Sequence, residues 1–267
     1  MKKALRLLSL MFLASCAVRQ NSTVAAFAPN PVVAHRGAFK AHGYPENSIA
    51  SLKEAIRLQC TGSEFDVRMT ADDSLVINHD PHYNKLEIEK TTYSELASHK
   101  LSNGETLPTL RQYLQAGLQN NQHTRLVLEI KPTSSKERAR LLAERVVAMV
   151  KALNAAPMTL YISFDYDILK RVIEVAPGAP TQYLNGDVPP EQLKADGISG
   201  ADYHFSVFQK HPEWIGGARQ NGIALNAWTV NEEKDMRWLL DSGFNYITTN
   251  EPELLLEVAK SMGRAKK

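Results

Sequence analysis

Apolar and polar positions along the chain follow two periods. Short runs rich in β-branched and aromatic residues occur at 32–34, 63–69, 75–78, 125–131, 160–164, 181–184, 202–207, 224–230 and 246–249, and these predict strands. Stripes with helical spacing lie between many of them. Ile49, Leu52 and Ile56 mark a helix over 48–59, which Asn47 is placed to cap. Thr109 opens the next helix, with Gln112 three residues on as in a capping box, and Leu110, Tyr113, Leu114 and Leu118 form its buried stripe. Leu141, Leu142, Val146, Val147 and Val150 predict a helix over 136–153. Asp165 caps a helix that ends at Pro177-Gly178, Met236, Leu239 and Leu240 mark one that Gly243 stops, and 252–262 make the last.

Alternating strands and helices predict a parallel sheet. The strand candidates exceed by one the number that a barrel of eight requires, and 75–78 is the surplus. Too few residues separate it from 63–69 for a parallel crossover, which takes a dozen or more. It therefore reads as an elaboration of the second strand, and the polar stretch 81–106 as a surface excursion over the rim. An open doubly wound sheet would bring a glycine-rich phosphate loop after its first strand, and the chain has no G-x-G-x-x-G. The expected fold is a TIM-type (β/α)8 barrel, for which a chain of 267 residues is long enough.

The ends read differently. Lys2, Lys3 and Arg6 precede a short apolar run that closes on Leu13-Ala14-Ser15-Cys16. Residues 1–16 resemble a lipoprotein signal peptide whose lipobox Cys16 is acylated, which predicts an exported, envelope-located protein held to a membrane by lipid. Residues 17–30 are small and polar and read as a flexible tether, 31–262 as one domain, and 263–267 as a basic tail. Cys60 then has no partner and reads as a small buried apolar residue. The formal net charge of +2 gives no basic field and argues against a nucleic-acid partner. No feature implies a protein partner.

Candidate chemistry gathers between His35 and Asp80. Glu64 and Asp66 are two apart on a strand and share a face, and Glu129 sits in another apolar strand, L-V-L-E-I-K. Acids in such patterns are costly to bury unpaired, so the three read as a metal-ligand set. Carboxylates alone favour a hard cation, Mg²⁺ or Ca²⁺. His35 and His79 each close an apolar run and suit general acid and general base. Arg36 and Lys131 can neutralise a phosphate or pair with the nearby acids. Asp80 either forms a turn or orients His79. Trp228 either covers part of a substrate or packs in the core. Glu46 and Asn47 follow the first strand as supporting residues, with capping alone enough to explain Asn47. The set suits phosphodiester cleavage: a metal polarises a non-bridging oxygen, the cations neutralise charge, and the histidines move protons.

The ordered motifs H-R-G, P-E-N, E-x-D-V, T-x-D, V-x-x-H-D, L-E-I-K, S-F-D, W-T-V-N and I-T-x-N-x-P over residues 31–262 resemble the glycerophosphodiester phosphodiesterase family. The resemblance implies a TIM-type barrel that hydrolyses a small-molecule glycerophosphodiester to an alcohol and sn-glycerol 3-phosphate. By position it makes His35 and His79 the acid and base, Glu64, Asp66 and Glu129 ligands to one divalent cation, and Arg36 and Lys131 phosphate contacts. It also brings in a route in which the substrate's own glycerol hydroxyl attacks first. Where family members often carry a longer Thr-, Asn- and Gly-rich stretch after H-D, this chain has His82-Tyr83-Asn84-Lys85-Leu86. Two other functions compete. A sphingomyelinase D-like or phospholipase-like enzyme should have an apolar rim and often a disulfide-tied loop, and a non-catalytic envelope lipoprotein should have lost a catalytic group.

Overall fold

The structure, a computed structural model, describes residues 27–264. In chain order its first half contains β1 (Val32–Ala34), α1 (Ile49–Arg57), β2 (Gly62–Met69), β3 (Leu75–Ile77), β4 (His82–Tyr83), β5 (Leu86–Glu87), α2 (Tyr93–Leu96) and α3 (Leu110–Leu118). Then come β6 (Arg125–Ile130), α4 (Lys136–Ala152), β7 (Thr159–Ser163), α5 (Tyr166–Val175), β8 (Thr181–Tyr183) and α6 (Pro190–Ala195). The last part holds β9 (Gly200–His204), α7 (Phe205–Lys210), α8 (Glu213–Asn221), β10 (Ala224–Trp228), α9 (Glu233–Asp241), β11 (Tyr246–Thr249) and α10 (Pro252–Ser261).

Strands β1, β2, β6, β7, β8, β9, β10 and β11 pair in that order, all parallel, and β11 returns to β1. The result is the closed (β/α)8 barrel. β3 runs antiparallel along β2 and stays outside the ring, as its short connection requires. Apolar residues on the outer faces of the strands pack under the helices in two large clusters. Inside the barrel, Val33, Val127, Leu160, Ile162 and Leu184 form a smaller one.

The local signals explain most helix starts. Thr109 and Gln112 make the complete capping box on α3, and Asp165 accepts from the backbone N–H groups of Asp167 and Ile168 on α5. At α1 the cap is Ser48, whose side chain accepts from Ser51 N, and not Asn47. Asn47 stands one residue earlier with φ +59°, which releases its carboxamide for another task.

Elsewhere the structure corrects one strand and adds detail that the sequence did not give. The excursion after β3 is ordered: Asn84 and Lys85, both with positive φ, make the tight turn between β4 and β5. Val76, Ile88, Leu96 and Leu107 bury a satellite core beneath it. The strand read over 202–207 ends at His204, and Phe205 starts α7. Helices α6 and α8 carry no clear stripe in the sequence; the first spans a single turn and a half, and the second contains Gly216-Gly217.

The packed domain also starts before Pro31. Ala28 is buried, its N–H donates to the His123 carbonyl at 2.9 Å, and its own carbonyl accepts from the Thr61 hydroxyl. The Arg125 guanidinium lies 4.0 Å from the Phe27 ring centre. Residues 27–30 thus belong to the barrel's lower rim. The predicted leader, Cys16 and residues 17–26 of the tether lie outside the described residues, as do residues 265–267 of the tail. Among the described residues no helix is long and apolar enough to cross a membrane.

Candidate active site

Strand register brings the acids together. On the paired strands β2 and β6, Asp66 and Glu129 are direct neighbours, and Glu64 lies two residues before Asp66 on the same inward face. One carboxylate oxygen from each of the three lies within 4.8 Å of the others, and all three residues are buried. On the other side of β2, Ala34 pairs with Ser63 of β2 and with Thr249 of β11. His35, the next residue, therefore arrives between Glu64 and Asn250.

The turn after β1 has a specific cause. Arg36 and Gly37 both take left-handed backbone conformations, φ +54° and +80°. A Cβ on Gly37 would stand 2.4 Å from Ser51 Oγ and 2.6 Å from the Ser51 carbonyl carbon, so only glycine lets α1 approach. This turn aims the Arg36 N–H at Glu64 Oε2, 2.8 Å away. The Arg36 guanidinium donates to Glu46 at 2.9 and 3.0 Å, and its Nε lies 3.8 Å from Asp66 Oδ2. Asn47 Nδ2 donates to Asp66 Oδ2 at 2.8 Å, and Asn47 Oδ1 accepts from Asp66 N at 3.2 Å. Glu46 thus contacts Arg36, and Asn47 contacts Asp66.

Lys131, almost fully buried, lies 3.0 Å from Asp66 Oδ1 and 2.8 Å from Glu129 Oε1. His35 Nδ1 is 2.7 Å from Asn250 Oδ1, and its Nε2 is 3.9 Å from Glu64 Oε2. His79 Nδ1 is 2.7 Å from Asp80 Oδ1, so Asp80 orients the ring. The Arg68 guanidinium donates twice to the His79 carbonyl, at 2.9 and 2.6 Å, and fixes the loop that carries it.

Electrostatics separates these groups. Burial pushes His35 down to about 4, and Arg36 adds to the effect. Burial also lowers half-buried His79, with Asp66 and Asp80 pulling the other way. Burial raises Glu64, and the charges of Asp66 and Glu129 raise it further. Burial and Asp66 push Glu129 up to about 7 against the pull of Lys131. Burial opposes ionisation of Asp66 too, but Lys131, His79 and the Asn47 hydrogen bond outweigh it and hold Asp66 at about 2. Of the three acids, only Asp66 is held ionised by its neighbours, and the other two are pushed toward the protonated form. Glu64 Oε1 is buried with no hydrogen-bond partner among the described residues. An orphaned carboxylate oxygen in a trio of converging acids fits a hard divalent cation.

The site opens into a cavity of about 110 Å³. His35, Arg36, Glu64, His79, Glu129 and Lys131 form its charged half. Ile162, Phe164, Leu184 and Trp228 form the opposite, apolar half. Trp228 is fixed there by its Nε1–H, which donates to the Asp202 carbonyl at 2.9 Å, and by an edge-on contact with Phe164. The structure therefore unites His35, His79, Glu64, Asp66, Glu129, Arg36, Lys131 and Trp228. Sequence reading assigned no role to Arg68 or Asp202, nor to Asn250, which it met only as the Asn of I-T-x-N-x-P. The inward register of β9 and β11 was the signal for Asp202 and Asn250, since each falls two residues from another inward position.

Comparison with known proteins gives one consistent likeness. The model of the "Glycerophosphoryl diester phosphodiesterase family" matches residues 35–254. A glycerophosphodiester phosphodiesterase of Caldanaerobacter subterraneus subsp. tengcongensis is 29% identical over 87% of this chain and 98% of its own. A crystal structure of such an enzyme from Parabacteroides distasonis superposes with a TM-score of 0.85 at 41% identity, covering 89% of this chain and 100% of that one. A phosphodiesterase of Oleispira antarctica, solved with the product sn-glycerol-3-phosphate, gives a TM-score of 0.70 at 25% identity over 86% of this chain and 96% of its own.

Proposed function

This chain belongs to the glycerophosphoryl diester phosphodiesterase family and is an enzyme of that class, and we propose that it cleaves its substrate with Glu64, Asp66 and Glu129 holding a divalent cation and His35 and His79 moving the protons. The reaction is hydrolysis of a glycerophosphodiester, and the products we assign are an alcohol and sn-glycerol 3-phosphate. The observation that carries the reading is the trio of buried carboxylates within 4.8 Å of one another, beside two imidazoles and two cations in one cavity wall.

The histidines' partners suggest how they divide the work. With Asn250 Oδ1 as acceptor, His35 carries its proton on Nδ1 and keeps a lone pair on Nε2, on the side of Glu64. A neutral amide does not favour an imidazolium, so His35 suits the base that takes the proton of the attacking hydroxyl. His79 is paired with a carboxylate, Asp80, which favours the charged ring. It suits the acid that gives a proton to the leaving alkoxide as the P–O bond breaks. Arg36 and Lys131 neutralise charge on the phosphoryl oxygens. When bound, a Mg²⁺ or Ca²⁺ ion supplies Lewis-acid polarisation of a non-bridging oxygen.

The deciding experiment incubates purified protein with glycerophosphocholine, glycerophosphoethanolamine, glycerophosphoglycerol and glycerophosphoinositol and follows products by phosphorus NMR. The expected result is sn-glycerol 3-phosphate from at least one substrate, loss of turnover with a chelator, and recovery with Mg²⁺ or Ca²⁺. Full turnover in chelator would refute the metal assignment. The export and lipid-anchor reading at Cys16 rests on sequence alone, and mass spectrometry of membrane-extracted protein tests it: an unmodified Cys16 rejects it.

A further inference from the structure

The apolar wall of the cavity contains one acid. Asp202 points inward from β9, between Leu184, which follows β8, and Trp228 at the end of β10. It is 1% exposed, and its Oδ1 has no hydrogen-bond partner among the described residues. Asn226, its register neighbour on β10, offers the carboxyl a hydrogen bond. The charge that acts on it is that of Glu129, which repels. Burying a carboxyl in this way is costly, and packing does not require it, since an apolar side chain would continue the wall formed by Ile162, Phe164 and Leu184.

Asp202 also lies away from the acid trio in sequence and strand order, with β7 and β8 between β6 and β9. The carboxylates on β2 and β6 already answer for the cation, and Arg36 and Lys131 for the phosphate. What remains for Asp202 is the uncharged part of a ligand. A cavity of about 110 Å³ holds several waters or a short polyol, and a polyol presents both carbon faces and hydroxyls. The apolar wall covers the carbons, and a lone carboxyl among them can take a hydroxyl by donating or accepting.

We propose that Asp202 is a specificity-determining residue whose carboxyl hydrogen-bonds a hydroxyl of the substrate's glycerol unit. This rests on the glycerophosphodiester reading above. Sites built to bond a hydroxyl discriminate against ligands that lack it, because their own buried polar group is then left unpaired.

The test uses two ligands that share a phosphate and three carbons and differ in hydroxyls: sn-glycerol 3-phosphate and n-propyl phosphate. Their affinities are measured by calorimetry on the wild type, Asp202→Leu and Asp202→Asn, all with Mg²⁺ present. The wild type should favour glycerol 3-phosphate by about tenfold or more. Asp202→Leu should bring that ratio close to one while leaving propyl phosphate affinity unchanged, and Asp202→Asn, which still hydrogen-bonds, should retain part of it. A ratio preserved in Asp202→Leu, or equal weakening of both ligands, overturns the proposal and leaves the enzyme assignment standing. Absence of glycerol 3-phosphate binding to the wild type overturns both.

Discussion

The carboxamide of Asn47 grips Asp66 at both ends, donating to its carboxylate at 2.8 Å and accepting from its backbone N–H at 3.2 Å. The helix beside it is capped by the next residue, Ser48. Two adjacent polar residues therefore divide stability and chemistry between them. Ser48→Ala should cost about 1 kcal/mol of stability, as lost caps do, and leave turnover per folded molecule unchanged. Asn47→Gly, which tolerates φ +59°, should lower cation affinity and turnover by about tenfold or more, the usual loss when a residue that orients a metal ligand goes. Thermal unfolding and cation titration of both variants check this; the reverse pattern would return Asn47 to a capping role.

His35→Ala and His79→Ala should each lower turnover by roughly 10²- to 10⁴-fold, the range expected for a general acid or base. Circular dichroism should match the wild type, because each ring lies in a cavity wall and not in the packed clusters under the helices. Near-normal turnover in either variant removes that residue's role.

How much of this was legible in the sequence depended on which force fixed each element. Strands with inward acids and outward apolar residues announced themselves, because only a barrel rim makes L-V-L-E-I-K a stable compromise. The surplus strand at 75–78 was excluded by reach alone. What stayed hidden was tertiary. The cap's shift from Asn47 to Ser48 depends on the hydrogen bond to Asp66, nineteen positions away. Asn250 matters because β11 closes against β1, which brings it onto a ring 215 positions away in the chain. The excursion after β3 gave no periodic signal because its core comprises four separate residues spread along the chain, Val76, Ile88, Leu96 and Leu107.

Gly37→Ala should be among the most damaging single-methyl changes in the protein. It places a Cβ 2.4 Å from Ser51 Oγ and 2.6 Å from backbone, in a left-handed conformation that alone costs about 1–2 kcal/mol for a non-glycine residue. The turn must shift, and with it the Arg36 N–H that reaches Glu64. The expected outcome is a lower Tm together with lower turnover at temperatures where the variant remains folded. A variant with wild-type Tm would mean that α1 yields freely to the added carbon.

The acid trio also dictates how cation binding depends on pH. Glu129 titrates at about 7 in the folded chain against an ordinary 4.5, burial and Asp66 both raising it. A carboxyl raised on folding contributes stability that is full below its unfolded value and is lost as pH climbs through the folded one. In metal-free protein that loss falls between about pH 4.5 and 7 and is on the order of a few kcal/mol. Depressed His35 runs the opposite way over part of this range, its contribution being present above 6.5 and lost as pH falls through about 4. The informative quantity is therefore the difference between cation-loaded and chelated protein, in which effects common to both states cancel. A proton on Glu129 competes with the cation, so the rise in Tm given by Mg²⁺ or Ca²⁺ should be small near pH 5 and grow toward pH 8. Glu129→Gln removes that titration and should reduce the dependence to the part that Glu64 contributes, as well as weaken binding. A cation-induced rise in Tm that is constant from pH 5 to 8 would show that Glu129 is not among the groups that hold the ion.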